Sequence, residues 1–242
     1  MPAHIAAVMS PREFHPEDIG WHTLVWAGGT EFLLEGYADN DAITTAPDEF
    51  GAAADDLQAS PSSSSQKFAT GGTAFGGENC IEFDGTGAGL SSGTHAKTWA
   101  ANAYTAVVVC WPLNTTNAQQ IFGDTSGIPR MKIHIIAGSS TLRINGVNAQ
   151  RAFTLNAANS VCAYIDSAAA TDLDVVYLNG LLCGEDEYGA NSMTGLEIGG
   201  DGSTDPFHGS IAFVGLYNGD LRADAQFADL ADWVSDTYGV LL

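Results

Sequence analysis

Short β-rich segments separated by turn residues recur along the chain, and this alternation limits the possible folds more than any other feature. Tyr104–Trp111 is β-branched and apolar at nearly every position, which is typical of a central strand buried on both faces. Met131–Ile135 and Leu142–Asn145 alternate apolar and polar side chains across Gly138-Ser139-Ser140, which predicts a hairpin. Three further strands are predicted over Val161–Ile165, Asp174–Leu182 and Ser210–Tyr217.

Turn dipeptides punctuate these strands at Asn145-Gly146, Asn179-Gly180 and Asn218-Gly219. Asn and Gly tolerate the positive φ angles that tight turns require. The chain also contains 28 glycines, and many short strands with glycine-rich turns favour a sandwich or a barrel. The sequence therefore predicts an all-β fold, a two-sheet antiparallel jelly-roll sandwich.

One helix is predicted, from Asp224 to about Tyr238. Phe227, Leu230 and Val234 fall at positions i, i+3 and i+7, which places them on one helical face. Gly239 is the expected stop. We expect this C-terminal α-helix to pack on the flank of the sandwich.

The segment Ala59–Gly77 is rich in Ser and Gly, so it is either an interdomain linker or a long surface loop. The preceding residues contain too few strand signals to form a separate core, and we favour the loop. The predicted organisation is an N-terminal arm over residues 1–13 and one jelly-roll domain over residues 14–242.

The charge balance excludes several partners. The chain has 29 Asp+Glu against 8 Lys+Arg, a formal net charge of −21. Binding to nucleic acid or to an anionic membrane needs a basic surface, so neither is expected. Repulsion among so many carboxylates is screened in molar salt, which predicts adaptation to a salty medium; the alternative is a solvated acidic surface that prevents aggregation.

The sequence shows neither a signal peptide nor a membrane span. The apolar run Ile5–Met9 is too short for a signal peptide, and Ala106–Trp111 is too short to cross a bilayer. We therefore expect a protein made in the cytoplasm that stays there or leaves by lysis or a dedicated exporter. The four cysteines lie in or at the end of apolar runs, which predicts buried free thiols.

Five motifs, in order, resemble those of concanavalin A-like (laminin G-like) jelly-roll domains of bacterial and phage proteins. They are Phe14–Trp26, Ile81–Gly87, Asp174–Gly180, Phe207–Asn218 and Asp232–Gly239. The resemblance covers residues 14–242 and implies the jelly-roll fold. Phe213 and Arg222 depart from the family pattern. The family includes lectins, glucanases, adhesion modules and virion surface proteins, so the fold does not fix the function.

Catalytic patterns are incomplete. Gly89–Gly93 matches G-x-S-x-G but no predicted helix follows it, as a nucleophile elbow requires, and a glycine-rich loop is the expected structure. Retaining glucanases need two close carboxylates on one face of a strand. Glu82/Asp84, Asp172/Asp174 and Glu185/Glu187 each leave that pattern unfinished, so the protein is predicted not to be an enzyme.

Two binding sites are predicted, one for calcium and one for a sugar. Asp201 and Asp205 in an Asp/Gly turn offer oxygen ligands for calcium; an ordinary turn is the alternative. Trp99 follows a Gly/Ser loop and is the best candidate for stacking on a sugar. No cofactor is required, and calcium is the one metal expected.

These observations predict a non-enzymatic structural protein of a virion, such as a capsid decoration, head-fibre or tail surface component of a tailed virus. Its partners are then other virion proteins and further copies of itself, and its location is the virion surface. The alternative is a lectin-like, carbohydrate-binding module for host or matrix glycans. A glycan hydrolase is the third interpretation.

Overall fold

Among the residues that it describes, the computed structural model contains sixteen strands and a C-terminal helix α1, Ala225–Tyr238. The strands are β1 Trp26–Ala27, β2 Thr45–Ala46, β3 Leu57–Ala59, β4 Gln66–Ala69, β5 Cys80–Asp84, β6 Leu90–Ser92, β7 Ala103–Pro112, β8 Gln119–Gly123, β9 Lys132–Ile135, β10 Thr141–Ile144, β11 Val147–Ala152, β12 Asn159–Asp166, β13 Asp174–Leu178, β14 Leu181–Asp186, β15 Leu196–Ile198 and β16 His208–Asn218. The structure describes residues 26–27, 42–43, 45–46, 57–59, 66–69, 75–86, 89–92, 103–123, 132–144, 147–166, 174–186, 196–200, 205–218, 221–222 and 225–242.

The strands form two sheets of eight strands each. The first sheet has the order β14-β13-β12-β7-β16-β5-β4, with β1 paired to β16. The second sheet has the order β11-β10-β9-β8-β15-β6-β3-β2. The strand pairs within both sheets are antiparallel. The protein is therefore a two-sheet antiparallel sandwich of the lectin-like jelly-roll type with a C-terminal helix, as the sequence predicted.

The first sheet is buried on both faces. Alternate residues of β7 serve two layers: Val108 lies in the core between the sheets, and Val107 and Val109 lie in an outer apolar layer. The outer layer is completed by α1, where Leu230 and Val234 are fully buried. A strand with two buried faces must be apolar throughout, and this explains the continuous apolar run at β7.

The helix docks through its aromatic residues. Trp233 packs edge-on against Phe213 of β16 with ring centroids 5.3 Å apart, and Tyr238 packs edge-on against Trp233 at 5.5 Å. Gly239 follows with φ of 70°, the left-handed conformation that commonly ends a helix. Both the helix and its stop agree with the sequence prediction.

The second sheet has one buried face. Ile133, Ile135, Leu142 and Ile144 of β9 and β10 are fully buried in the core. The residues between them, His134 and Arg143, point to the opposite, outer face because successive side chains of a strand alternate. The outer apolar layer contains residues of the first sheet and α1 but none of the second sheet.

The segment 59–77 differs from the expected surface loop. It contains β4, which pairs with β5 in the first sheet, and Phe75, which is fully buried. The ring of Phe75 packs edge-on against Trp111 and Tyr238, each with centroids 6.1 Å apart. Serine and glycine content indicated a loop, whereas one aromatic side chain fixes the end of this segment between the first sheet and α1.

Two further local differences concern strands. Leu90–Ser92 of the G-x-S-x-G match is the strand β6, paired with β15 and β3, and not a loop. β8 carries no strong strand signal, yet all five of its residues are buried. The predicted arm, residues 1–13, lies outside the described residues.

Two further predictions concern the cysteines and membrane-spanning segments. Cys80, Cys110, Cys162 and Cys183 are all free and buried, as predicted. Among the described residues, no helix has the length and apolar character needed to cross a membrane.

Candidate functional site

A line of polar side chains crosses the outer face of the second sheet. We call it the polar row: Glu197 on β15, Gln120 on β8, His134 on β9 and Arg143 on β10. His134 is directly opposite Gln120 on one side and Arg143 on the other, so the three share one face. Adjacent strands lie about 4.8 Å apart, so the row spans about 14 Å across four strands.

Gln120 is the centre of the row and is fully buried. Its Nε2 donates to Oε2 of Glu197 at 3.2 Å and to the carbonyl of Gly200 at 3.5 Å. Its backbone N–H donates to the carbonyl of Asp205 at 2.9 Å. Its Oε1 is buried and accepts no hydrogen bond from the described residues. The fully buried amide therefore holds Glu197 and the Gly200 carbonyl in place and does not contact solvent.

A tight turn brings the Gly200 carbonyl to Gln120. Gly199 has φ of 73°, and a Cβ at this position would lie 2.1 Å from Cε1 of Phe83. Its N–H donates to the carbonyl of Ile121 at 2.9 Å. Glycine is required here both for the backbone conformation and for the close approach of the Phe83 ring, which fixes the end of β15 beside β8.

The other half of the row is more open. His134 is half-buried and Arg143 is exposed. The backbone register places Asn148 of β11 opposite Arg143 on the far side. Within the described part of the chain, the Arg143 side chain forms no hydrogen bond, ion pair or ring contact. The row therefore runs from a carboxylate linked to an amide, at β15 and β8, to a guanidinium without a partner at β10.

A second polar cluster supports the start of β8. Nε2 of Gln119 donates to the carbonyl of Asn114 at 2.6 Å, and its Oε1 accepts the N–H of His208 at 2.9 Å. Nδ2 of Asn114 lies 2.5 Å from Nδ1 of His208. Because Nδ2 donates, Nδ1 accepts, and the proton of this imidazole is assigned to Nε2. This network ties β8 to β16 and holds Gln120 in position.

The predicted site residues are not brought together by the described residues. Trp99 and Asp201 lie outside them. Asp205 is described, and its carbonyl serves Gln120 as stated above. No group of three or more His, Cys, Asp or Glu side chains that could hold a metal occurs in the described part of the chain. The calcium and stacking sites therefore remain predictions.

The polar row was missed by sequence reasoning, although signals were available. The alternation of β9 and β10 already places His134 and Arg143 on the solvent face. Residues 125–165 also contain no Asp or Glu, an unusual stretch in so acidic a chain. Gln120 had no comparable signal, because its partner Glu197 is 77 positions away.

No protein-family model and no curated protein matches this sequence. The solved structures that share its fold include the following three. Domain 4 of AbnA, a GH43 extracellular arabinanase from Geobacillus stearothermophilus in complex with arabinotriose, is 16% identical with a TM-score of 0.50 over 72% of this chain and 81% of that one. A GH54 α-L-arabinofuranosidase is 13% identical with a TM-score of 0.59 over 82% of this chain and 52% of that one.

The third structure is Trypanosoma rangeli sialidase in complex with sialic acid, which is 14% identical with a TM-score of 0.57 over 82% of this chain and 32% of that one. This chain thus spans about half of the arabinofuranosidase and a third of the sialidase. At such identities the similarity shows a common fold and nothing finer. The expected virion role is not tested by these similarities and remains a prediction.

Proposed function

We propose that this protein is a carbohydrate-binding module whose second sheet binds a glycan across the polar row. The observation that carries the proposal is the row itself, four hydrogen-bonding side chains on adjacent strands. Sugar hydroxyls both donate and accept hydrogen bonds. The carboxylate of Glu197 supplies an acceptor and the guanidinium of Arg143 supplies donors for them, and the fully buried Gln120 amide holds the Glu197 carboxylate. A few placed polar groups of this kind fix the orientation of a small ligand.

The fold supports the same proposal. Domain 4 of the arabinanase was solved with arabinotriose, an oligosaccharide, and it has this architecture. The proposal is therefore the alternative interpretation of the sequence, placed ahead of the virion structural role. The virion location, virion partners and self-association rest on the sequence alone and remain predictions.

We propose binding without turnover. The polar row contains one carboxylate, Glu197, whereas most glycoside hydrolases use a pair of carboxyl groups, one as acid and one as base or nucleophile. Glu197 is also held by the Gln120 amide, a geometry suited to orienting a ligand.

A glycan array followed by calorimetric titration of the best ligand tests the proposal. Glu197→Gln removes a charged acceptor, and a hydrogen bond to a charged group is worth about 1.5–3 kcal/mol. We expect a loss of affinity of at least tenfold. The matched control is Glu82→Gln, the same substitution at an exposed residue of β5 in the first sheet, which should bind like the unmodified protein.

Two results would contradict the proposal. One is a folded Glu197→Gln variant, checked by circular dichroism and melting, that binds as tightly as the control. The other is the absence of binding to any glycan on the array. Release of reducing ends from a bound polysaccharide would contradict the non-enzymatic part only, because binding would then accompany hydrolysis.

A further inference from the structure

The charges of the chain are segregated. Residues 125–165 contain four Lys+Arg and no Asp or Glu, a formal charge of +4. The rest of the chain contains four Lys+Arg and 29 Asp+Glu, a formal charge of −25. The basic residues of the stretch are Arg130, Lys132, Arg143 and Arg151. Half of the cations of an acidic protein are thus concentrated in one sixth of its length, with no neighbouring carboxylate in sequence.

The fold places three of these four basic residues, Lys132, Arg143 and Arg151, on strands at one side of the second sheet. β11, β10 and β9 are consecutive in the sheet order, with β11 at the edge. Lys132 begins β9 and Arg143 lies on β10. Arg151 of β11 is exposed, and its Nε donates to the carbonyl of Leu182 on β14 at 2.8 Å. We call these three strands the cationic edge. It overlaps the polar row at His134 and Arg143.

Among the cations of this edge whose side chains the structure describes, Arg143 is the available one. Arg151 is engaged at the border with the first sheet, and Arg222 lies over the Tyr164 ring with 5.6 Å from its Cζ to the centroid. Arg143 is exposed and has no partner among the described residues. The backbone register places His134 of β9 and Asn148 of β11 opposite it. Among the described residues, no carboxylate pairs with this guanidinium, although the chain has 29 Asp+Glu.

The chemistry of that group points to an anion. A guanidinium matches a carboxylate or a sulfate through two parallel hydrogen bonds. The acidic remainder of the surface does not cancel this attraction, because at physiological salt charges are screened beyond about 8 Å. It does repel an anionic ligand from every other face, so the charge pattern favours one binding position and one orientation.

We propose that the glycan bound by the polar row is acidic, a carboxylated or sulfated polysaccharide whose anionic group binds Arg143. Its neutral hydroxyls then face Glu197 at the other end of the row. This inference rests on the proposed function, because it names the class of glycan for the same site. A neutral glycan would leave the guanidinium without its matching acceptor.

The test is an array of acidic glycans, each printed beside a neutral counterpart with the same backbone, such as oligogalacturonate and its methyl ester, or dextran sulfate and dextran. We expect the bound glycans to be acidic and their counterparts to bind at least tenfold more weakly. Arg143→Gln should abolish that difference between each acidic glycan and its neutral counterpart. The matched control is Arg222→Gln, which removes the same charge on the side of the first sheet and should keep the preference.

The outcomes separate this inference from the proposed function. If neutral glycans bind as well as their acidic counterparts, the acidic class is wrong and the glycan-binding function stands. If no glycan binds, both the acidic class and the glycan-binding function are wrong. Equal binding of single-stranded oligothymidylate would mean attraction to any polyanion and would overturn the inference. Sedimentation showing that Arg143→Gln dissociates a dimer would also overturn the inference. The cationic edge would then bind the acidic surface of a second copy of the chain.

Discussion

Replacing Phe75 by alanine tests whether the serine- and glycine-rich segment is part of the folded core. The Phe75 side chain is fully buried and contacts the rings of Trp111 and Tyr238. Deleting a buried phenylalanine ring costs about 3–5 kcal/mol, from lost burial and the cavity left behind. That is a large part of the 5–15 kcal/mol that stabilises a typical domain.

Urea unfolding measures the loss. With a slope of about 2–3 kcal/mol per molar urea, the midpoint should fall by about 1–2.5 M. Fluorescence and far-ultraviolet circular dichroism should give coincident transitions, which justifies the free-energy calculation. Leu181→Ala is the control, because this leucine is 53% exposed and surface substitutions change stability by about 0.5 kcal/mol or less. A loss below about 1 kcal/mol for Phe75→Ala would refute the buried position.

Four other predictions concern stability. Gly199→Ala should destabilise the fold by more than about 1 kcal/mol in urea, because its Cβ would meet the Phe83 ring; an unchanged midpoint would contradict the close approach. Burial raises the pKa of the Cys183 thiol from 9.0 to about 11. The folded state then keeps a proton that the unfolded chain loses, so stability should fall by up to about 1.4 kcal/mol per pH unit between pH 9 and 11, and Cys183→Ala should flatten that slope. If the acidic surface is salt-adapted, the melting temperature rises from 0.1 to 3 M KCl; a flat curve argues against it. Millimolar calcium should raise the melting temperature if Asp201 and Asp205 bind it, and no shift would dismiss the site.

Local sequence rules predicted the elements whose structure depends on neighbours in the chain. The β7 run is apolar because both of its faces are covered, and its pattern needs no distant partner to be recognised. Asn179 and Gly180 have φ of 54° and 70°, the two positive values that a two-residue hairpin turn requires. The turn dipeptide therefore marked the β13–β14 connection, but the single strand predicted over Asp174–Leu182 ran through it, and the structure divides that segment into β13 and β14.

The missed elements depend on residues far away in sequence. Gln119 and Gln120 look like a polar strand end, but their amides are buried against His208 and Glu197, which are 89 and 77 positions away. Phe75 is one apolar residue in a serine- and glycine-rich segment, and its burial depends on α1. No window of ten or twenty residues contains that information.

The candidate site also divides into residues that local sequence patterns predict and residues that depend on distant partners. His134 and Arg143 could be assigned to a solvent-facing side from the alternation of β9 and β10. Their place in one row with Glu197 could not, because the sheet order puts β15 beside β8 from a distant part of the chain. Charge segregation was visible in the sequence, but its meaning required the adjacency of β9, β10 and β11.

The unequal covering of the two sheets has a consequence for how this protein can change over evolutionary time. Nearly every substitution in β7 disturbs one of two apolar layers, so that strand tolerates little variation. The outward positions of β9 and β10, such as His134 and Arg143, carry fewer packing constraints, and mutations there leave the core intact. Descendants of this chain are therefore free to diverge in what they recognise long before they diverge in architecture.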